Sequence, residues 1–184
     1  MTADVFPKAF EIVVGHEGGF TEDSRDPGNW TGGAVGKGVL KGTKYGISAK
    51  AYPHLDIRNL TLEDAHAIYR RDYWDKARCG ELPPPLALLV FDAAVNCGVG
   101  RSVQWLQAVA GATQDGVFGP KTKAAVEDVV RRRGGAWVCV EVLVKRLMFH
   151  ISLSTWATFG LGWARRILTL PFQAIQMSME PAHG

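Results

Sequence analysis

Cysteine is scarce in this chain, and the little there is makes no framework. Cys79, Cys97 and Cys139 are widely spaced, odd in number and without a CxxC pair, which argues against a disulfide scaffold and against a structural zinc site. They read as reduced, mostly buried thiols. Long uncharged apolar runs are also missing. Residues 137–172 are apolar, but Glu141, Lys145, Arg146, His150, Arg165 and Arg166 interrupt them, and the clear piece at 151–164 is shorter than the roughly 20 residues a membrane-spanning helix needs. No stable membrane insertion is expected. The first ten residues carry Asp4 and no apolar run, so no Sec-type signal peptide is read there. Charge of one sign is weak: the formal net charge is +3, and the clearest like-charge run is the short Arg131-Arg132-Arg133. A nucleic-acid binder needs a denser basic stripe. Metal-ligand clusters, Gly-rich phosphate loops and Ser or Cys nucleophile arrangements do not appear, so neither a metal nor another cofactor is expected. Strand-like alternation is almost absent, which predicts a mainly α fold with one small β element. No internal repeat is visible.

What remains is a chain of 184 residues, 47% hydrophobic and 21% charged, long enough to bury a core in one domain or in a domain with a small appendage. Its most informative stretch is Gly15-His16-Glu17-Gly18-Gly19-Phe20. Phe6, Phe10, Val13 and Val14 precede it at helical intervals, and Glu17 falls on the same stripe three turns after Phe6. Gly18 and Gly19 suit a helix C-cap, because glycine takes the left-handed conformation at little cost. The helix is therefore predicted to stop at or beside Glu17. A carboxylate half-buried at the negative end of a helix is pushed towards its protonated form on both counts, as a general acid requires. The plainer alternative is a surface Glu in a last turn. His16 points to a different face and reads as solvated.

Residues 18–46 are rich in Gly and Asp, with Asp26-Pro27-Gly28-Asn29 as a turn and room for a short irregular hairpin. A stretch this long is more than a connector. Thr61 caps a helix predicted through about residue 76, with Leu62, Ala65, Tyr69 and Tyr73 as its buried side. Pro83-Pro84-Pro85 introduces the helix expected to be central, whose stripe is Leu86, Leu89, Val90, Ala93, Ala94 and Cys97, with Asp92 and Asn96 on another face. A shorter helix at 101–109 precedes the turn Asp115-Gly116-Val117-Phe118-Gly119-Pro120. Pro120 opens a helix to about residue 133, ended by Gly134-Gly135. Beyond it, Val140, Val144, Leu147, Met148 and Ile151 read as core from Trp137 onwards. A separate segment at 163–170 follows Gly160 and Gly162, and the tail after Pro171 shows no clear periodicity.

Glu17-Gly18-Gly19-Phe20, Asp26-Pro27-Gly28 and Thr43-Lys44-Tyr45-Gly46-Ile47 together resemble the N-terminal signature of the glycoside hydrolase 108 family of phage and bacterial lysozymes. Later blocks are similar too: Ile68-Tyr69-Arg70 with Tyr73-Trp74, Phe91-Asp92 through Asn96-Cys97-Gly98, Leu106-Gln107, the Asp115 to Thr122 run, and Gly162-Trp163-Ala164-Arg165. The resemblance implies a lysozyme-like fold, with a catalytic region at 1–110 and a C-terminal helical, predicted peptidoglycan-binding region at 111–184. It implies bacterial peptidoglycan as partner, cleavage of the β-1,4 bond between N-acetylmuramic acid and N-acetylglucosamine, and Glu17 as the acid. One departure is residues 29–42, inserted between two blocks that commonly run close together. They read either as a lip over the sugar groove or as a solvated hairpin.

Glycoside cleavage needs a proton for the leaving oxygen and a group that deals with the positive charge on the sugar. Asp26, nine positions after Glu17, is the candidate for the second role, in a spacing that resembles the Glu–Asp pair of T4-type phage lysozymes, where Thr43 completes the set. Asp26 reads equally as a turn starter, and Glu22 and Asp23 are alternatives in the same loop. Tyr45, by stacking on a sugar, and Asn96, by bonding an N-acetyl group, are the other candidates for substrate binding; core or capping roles fit them as well. Asp92 reads as bonding a helix terminus or a neighbouring side chain. Two further readings stay open: a lytic transglycosylase that uses Glu17 alone, and a wall-binding module without turnover. The expected setting is a monomer made in the cytoplasm, as a phage endolysin is, that reaches the periplasmic wall by export or through a membrane lesion.

Overall fold

The computed structural model describes residues 4–15 and 19–179. Seven α-helices and one two-stranded antiparallel sheet are found among them, the mainly α architecture with one small β element that the sequence predicts. The chain forms two compact units, one of Phe10–Tyr69 and one of Met1–Ala9 with Arg70–Gly184. This geometric partition is of a different kind from the division at residue 110 that the family resemblance implies, and does not test it.

Helix α1 (Phe6–Val13) carries the expected stripe, with Phe6, Ala9, Phe10 and Val13 buried. It ends earlier than predicted. The Val14 and Gly15 amides still donate to Phe10 and Glu11, and Gly15, at φ +75°, takes the left-handed turn that had been assigned to Gly18 and Gly19. Glu17 and its neighbours His16 and Gly18 lie outside the described residues.

In the Phe10–Tyr69 unit, Phe10 packs edge-on against His66 and Tyr69. Strands β1 (Thr43–Lys44) and β2 (Ile47–Ser48) pair tightly, and isolated bridges join Thr21 to Thr43 and Trp30 to Leu40. The inserted residues 29–42 are therefore an irregular hairpin, closed by Thr31 donating to Val39 and Gly32 donating to Lys37. Helix α2 (Leu62–Tyr69) starts with a reciprocal cap: the Asp64 amide donates to the Thr61 hydroxyl, and the Asp64 carboxylate accepts from both the Thr61 amide and its hydroxyl.

The other unit begins with a π-type turn, Arg70–Trp74, in which the Asp75 amide donates to Arg70 five residues back. The extra residue rotates the buried stripe by one position. Trp74 therefore goes inside, where Tyr73 was expected, and packs with Phe6 and Phe91 at centroid distances of 5.2 and 5.4 Å. Helix α3 (Pro84–Cys97) is central, as predicted, and every side chain from Leu86 to Ala94 is buried. Against α3 pack α4 (Val99–Ala110), α6 (Gly135–Ile151) and α7 (Trp156–Met179), with α5 (Pro120–Arg133) against α4 and α6. Pro120 is at N1 of α5 and Gly134, at φ +86°, separates α5 from α6, both as read from the sequence.

Two expectations for this unit are corrected. On α6 the face turned inwards carries Val138, Val142, Leu143, Arg146 and His150, whereas Val140, Val144, Met148 and Ile151 are exposed. The helix is apolar almost all round, so its stripe does not by itself say which side is core. Residues 156–179 form one helix that runs through Gly160, Gly162 and Pro171. Ile167, Leu170, Ala174 and Met177 bury a continuous stripe on α7, and that packing outweighs the helix-breaking residues.

Candidate functional site

Within the Phe10–Tyr69 unit, the candidate residues hang on one buried side chain, Asn29. Asp26 caps the short 3₁₀ turn Pro27–Asn29 by accepting a 2.8 Å hydrogen bond from the Gly28 amide, the turn-starting role open to it from sequence. Its side chain is exposed. Asn29, fully buried at the end of that turn, donates from Nδ2 to the Asp23 carbonyl at 3.0 Å and accepts from the Thr43 hydroxyl at 2.7 Å. Its own carbonyl accepts from the Lys41 and Gly42 amides. A single amide thus ties the Asp26 turn to Thr43 at the start of β1. Both polar atoms of the buried Asn29 side chain thus have partners, as the low local dielectric demands.

Tyr45 sits in the turn between β1 and β2 with φ +51°, a left-handed conformation unusual for a residue with a side chain. The turn is held from outside by the Tyr69 hydroxyl, which donates to the Tyr45 carbonyl at 3.0 Å. Gly46 follows, also left-handed, and a Cβ there would lie 2.6 Å from the Tyr69 hydroxyl. Close by in sequence, the Arg58 guanidinium lies 4.5 Å over the Phe20 ring and pairs with Glu22 at 2.5 Å. Arg25 grips Asp23 through side chain and backbone and holds that exposed carboxyl below its ordinary range. Glu22 and Asp23, the alternative second carboxylates, are therefore each engaged by an arginine.

Asn96 lies in the other unit. Its amide donates to the Asp92 carbonyl one turn back on α3 at 2.7 Å, a local bond of the capping kind. It also lines a cavity of about 290 Å³ together with Cys97, Arg101, Arg146, Phe149, His150, Leu153, Trp163 and Arg166. The floor of this region is a charge cluster that sequence reading placed only loosely. Asp92 is fully buried and accepts from Arg146 on one oxygen and from Arg166 on the other, with Arg166 Nε at 2.7 Å. The expected bond to a neighbouring side chain is present, but its partners stand 54 and 74 residues away. His150 stacks on Trp163 at 4.7 Å and turns Nε2 towards the Cys97 sulfur at 3.8 Å. Burial first, and the Arg146 charge second, lower its pKa below the ordinary imidazole value.

The structure therefore joins Asp26 and Thr43 through Asn29, puts Tyr45 in the adjoining turn, and keeps Asn96 with a separate cluster. Asn29 and the arginines were the residues missed. Arg146 sits on an apolar helix of which only the exposed side looked like core, and Asn29 read only as the last residue of a turn. Among the described residues no group of His, Cys, Asp and Glu is placed to hold a metal ion.

The Asp115 turn, by contrast, is plainly structural. Gln107, buried on α4, donates to the Asp115 carboxylate, the Val117 carbonyl and the Thr122 hydroxyl, and accepts from the Gly116 amide. The Val117 amide first, and the Gln107 side chain second, hold the Asp115 carboxyl below its usual range.

Residues 10–98 match the family model described as Glycosyl hydrolase 108. A search of curated proteins returned no match. Among solved structures, that of SagA from Brucella abortus is 32% identical, with a TM-score of 0.76, over 97% of this chain and 98% of that one.

Proposed function

This chain belongs to the glycosyl hydrolase 108 family, and from that membership we propose that it is an N-acetylmuramidase with Glu17 as general acid. Family membership makes it a glycoside hydrolase of the peptidoglycan-cleaving kind. The bond and the residues are our reading. The observation that carries it is that the matched span, residues 10–98, holds all five candidates in order, Glu17, Asp26, Thr43, Tyr45 and Asn96.

In this mechanism Glu17 gives its proton to the oxygen that bridges N-acetylmuramic acid and N-acetylglucosamine. The carboxylate of Asp26 faces the positive charge that grows on the sugar as that bond lengthens. A carboxyl separation of roughly 6.5–9.5 Å leaves room for a water and inverts the anomeric centre, whereas about 5–5.5 Å leads to a covalent glycosyl intermediate and retention. Asn29 has a positioning part: by gripping Thr43 and the Asp23 carbonyl it sets the loop that carries Asp26. Tyr45, held by Tyr69, offers its ring to a sugar, and Asn96 offers its amide to an N-acetyl group. Residues 1–110 perform catalysis and 111–184 hold the wall. We place the protein with the endolysins, a monomer made in the cytoplasm that acts on the periplasmic wall to lyse the cell.

The test is mass spectrometry of fragments released from purified peptidoglycan by the wild type and by Glu17→Gln. Reducing N-acetylmuramic ends, diminished by at least about 10²-fold in the variant, are expected, since general acid catalysis contributes on that order or more. Anhydro ends would make the enzyme a lytic transglycosylase, and wall binding without fragments would remove the catalytic assignment.

A further inference from the structure

Ten of the thirteen large apolar side chains that are exposed among the described residues lie on just two helices, α6 and α7. Their spacing puts them on stripes. Val140, Val144, Met148 and Ile151 follow one another by four, four and three residues, with Trp137 a turn earlier. Leu161, Leu168, Phe172 and Ile175 follow by seven, four and three. Each stripe faces away from the side its helix buries, and the two helices pack together through a short connection. One residue of each stripe, Val140 and Ile175, lines an apolar groove of about 290 Å³ that Leu86 and Leu89 of α3 also line. A continuous apolar face of this kind on a soluble protein marks an interaction surface.

Charge says what the surface meets. Residues 131–184 hold seven Lys and Arg against two Asp and Glu, whereas residues 1–130 hold fourteen against sixteen. Part of the excess lies beside the stripes: Arg133, Lys145 and Arg165 are exposed, Arg131 and Arg132 at the end of α5 are paired with Asp128, and half-buried Glu141 is the one acid on the described part of α6 and α7. The Arg133 guanidinium lies over the Trp137 ring at 5.3 Å, a cation and an aromatic ring side by side at the edge of the apolar face. Apolar stripes flanked by Lys and Arg, where no helix among the described residues is both long and apolar enough to cross a bilayer, are the pattern of a segment lying in the headgroup plane. A second copy of the chain would bring this cationic excess against itself.

We propose that the α6–α7 face docks the protein peripherally on an anionic lipid bilayer. The inference does not depend on hydrolysis, because the test contains no peptidoglycan. The full chain is sedimented with large vesicles of phosphatidylglycerol and phosphatidylcholine, and with vesicles of phosphatidylcholine alone. Binding to the anionic vesicles is expected, at least tenfold stronger than to the neutral ones and weakened by salt. Leu168→Asp with Phe172→Asp, checked for native circular dichroism, is expected to lower it at least tenfold. Lys145→Gln with Arg165→Gln is expected to lower it several-fold while leaving the apolar face intact, and Val39→Asp, exposed elsewhere, to leave it unchanged. Equal partitioning to both vesicle types, an unchanged affinity in both double variants, or no partitioning at all would each overturn the proposal. So would a dimer in light scattering that Phe172→Asp dissolves while vesicles recover no protein.

Discussion

Asn29 has two partners, the Asp23 carbonyl and the Thr43 hydroxyl, on different segments of the loop. Asn29→Ala removes both bonds from a fully buried position, so at about 0.5–1.5 kcal/mol per bond it is expected to cost about 1–3 kcal/mol in urea unfolding and to lower hydrolysis more than an exposed substitution in the same loop. Asn29→Asp keeps the acceptor for Thr43 and loses the donor, and is expected to fall between the two. Gly46→Ala is expected to be worse than its left-handed backbone alone explains, because the new methyl meets the Tyr69 hydroxyl. The left-handed backbone costs about 1–2 kcal/mol, and the remainder is expected to return when Gly46→Ala is made in a Tyr69→Phe background. At this scale the sequence was half legible. Asp26 read as a turn starter because the cue, an Asp before Pro-Gly, is local. Asn29 did not read as buried, because its partner Thr43 is 14 residues away and nothing beside it signals burial.

Helix α6 shows where element-level reading fails. Its period is helical and was legible, as were the break at Gly134 that precedes it and the Pro120 start of α5. Its inner face was not, since that face includes Arg146 and His150, residues that hydropathy assigns to water. Arg146 goes inside because Asp92 is already there, fully buried on α3. Arg146→Met leaves the buried Asp92 with Arg166 as its one remaining counter-ion, and is expected to destabilise the protein by about 1.5–3 kcal/mol, read from chemical denaturation. The π-type turn after α2 is a second case. A single extra residue exchanges Tyr73 for Trp74 in the core, and no periodicity argument anticipates an insertion of one residue. Helix α7 crosses Pro171 for the related reason that tertiary burial outweighs local propensity.

For the whole molecule, the pH response is set in part by His150. Burial lowers its pKa in the folded protein below the ordinary imidazole value of about 6.5, so the unfolded chain binds its proton at a higher pH than the folded one. Stability from this group is therefore present above about pH 6.5 and is lost as pH falls from there through the lower folded value. Thermal unfolding followed from pH 8 to pH 5 is expected to show that decline, and His150→Gln to flatten it. The mainly α class was legible at this scale because an absence of alternation is as informative as a pattern. The division into units at Phe10 and Tyr69 was not, since it follows contacts and leaves no mark in composition.

The shared carboxylate of Asp92 also has a consequence for how this lineage changes over time. One acid serves two arginines that arrive from distant parts of the chain, so no single substitution at these three positions leaves the others satisfied. Among descendants and relatives the three are expected to be inherited as a set. Where Asp92 has been replaced by an apolar residue, Arg146 will have been replaced with it, through intermediates that survived on stability held elsewhere.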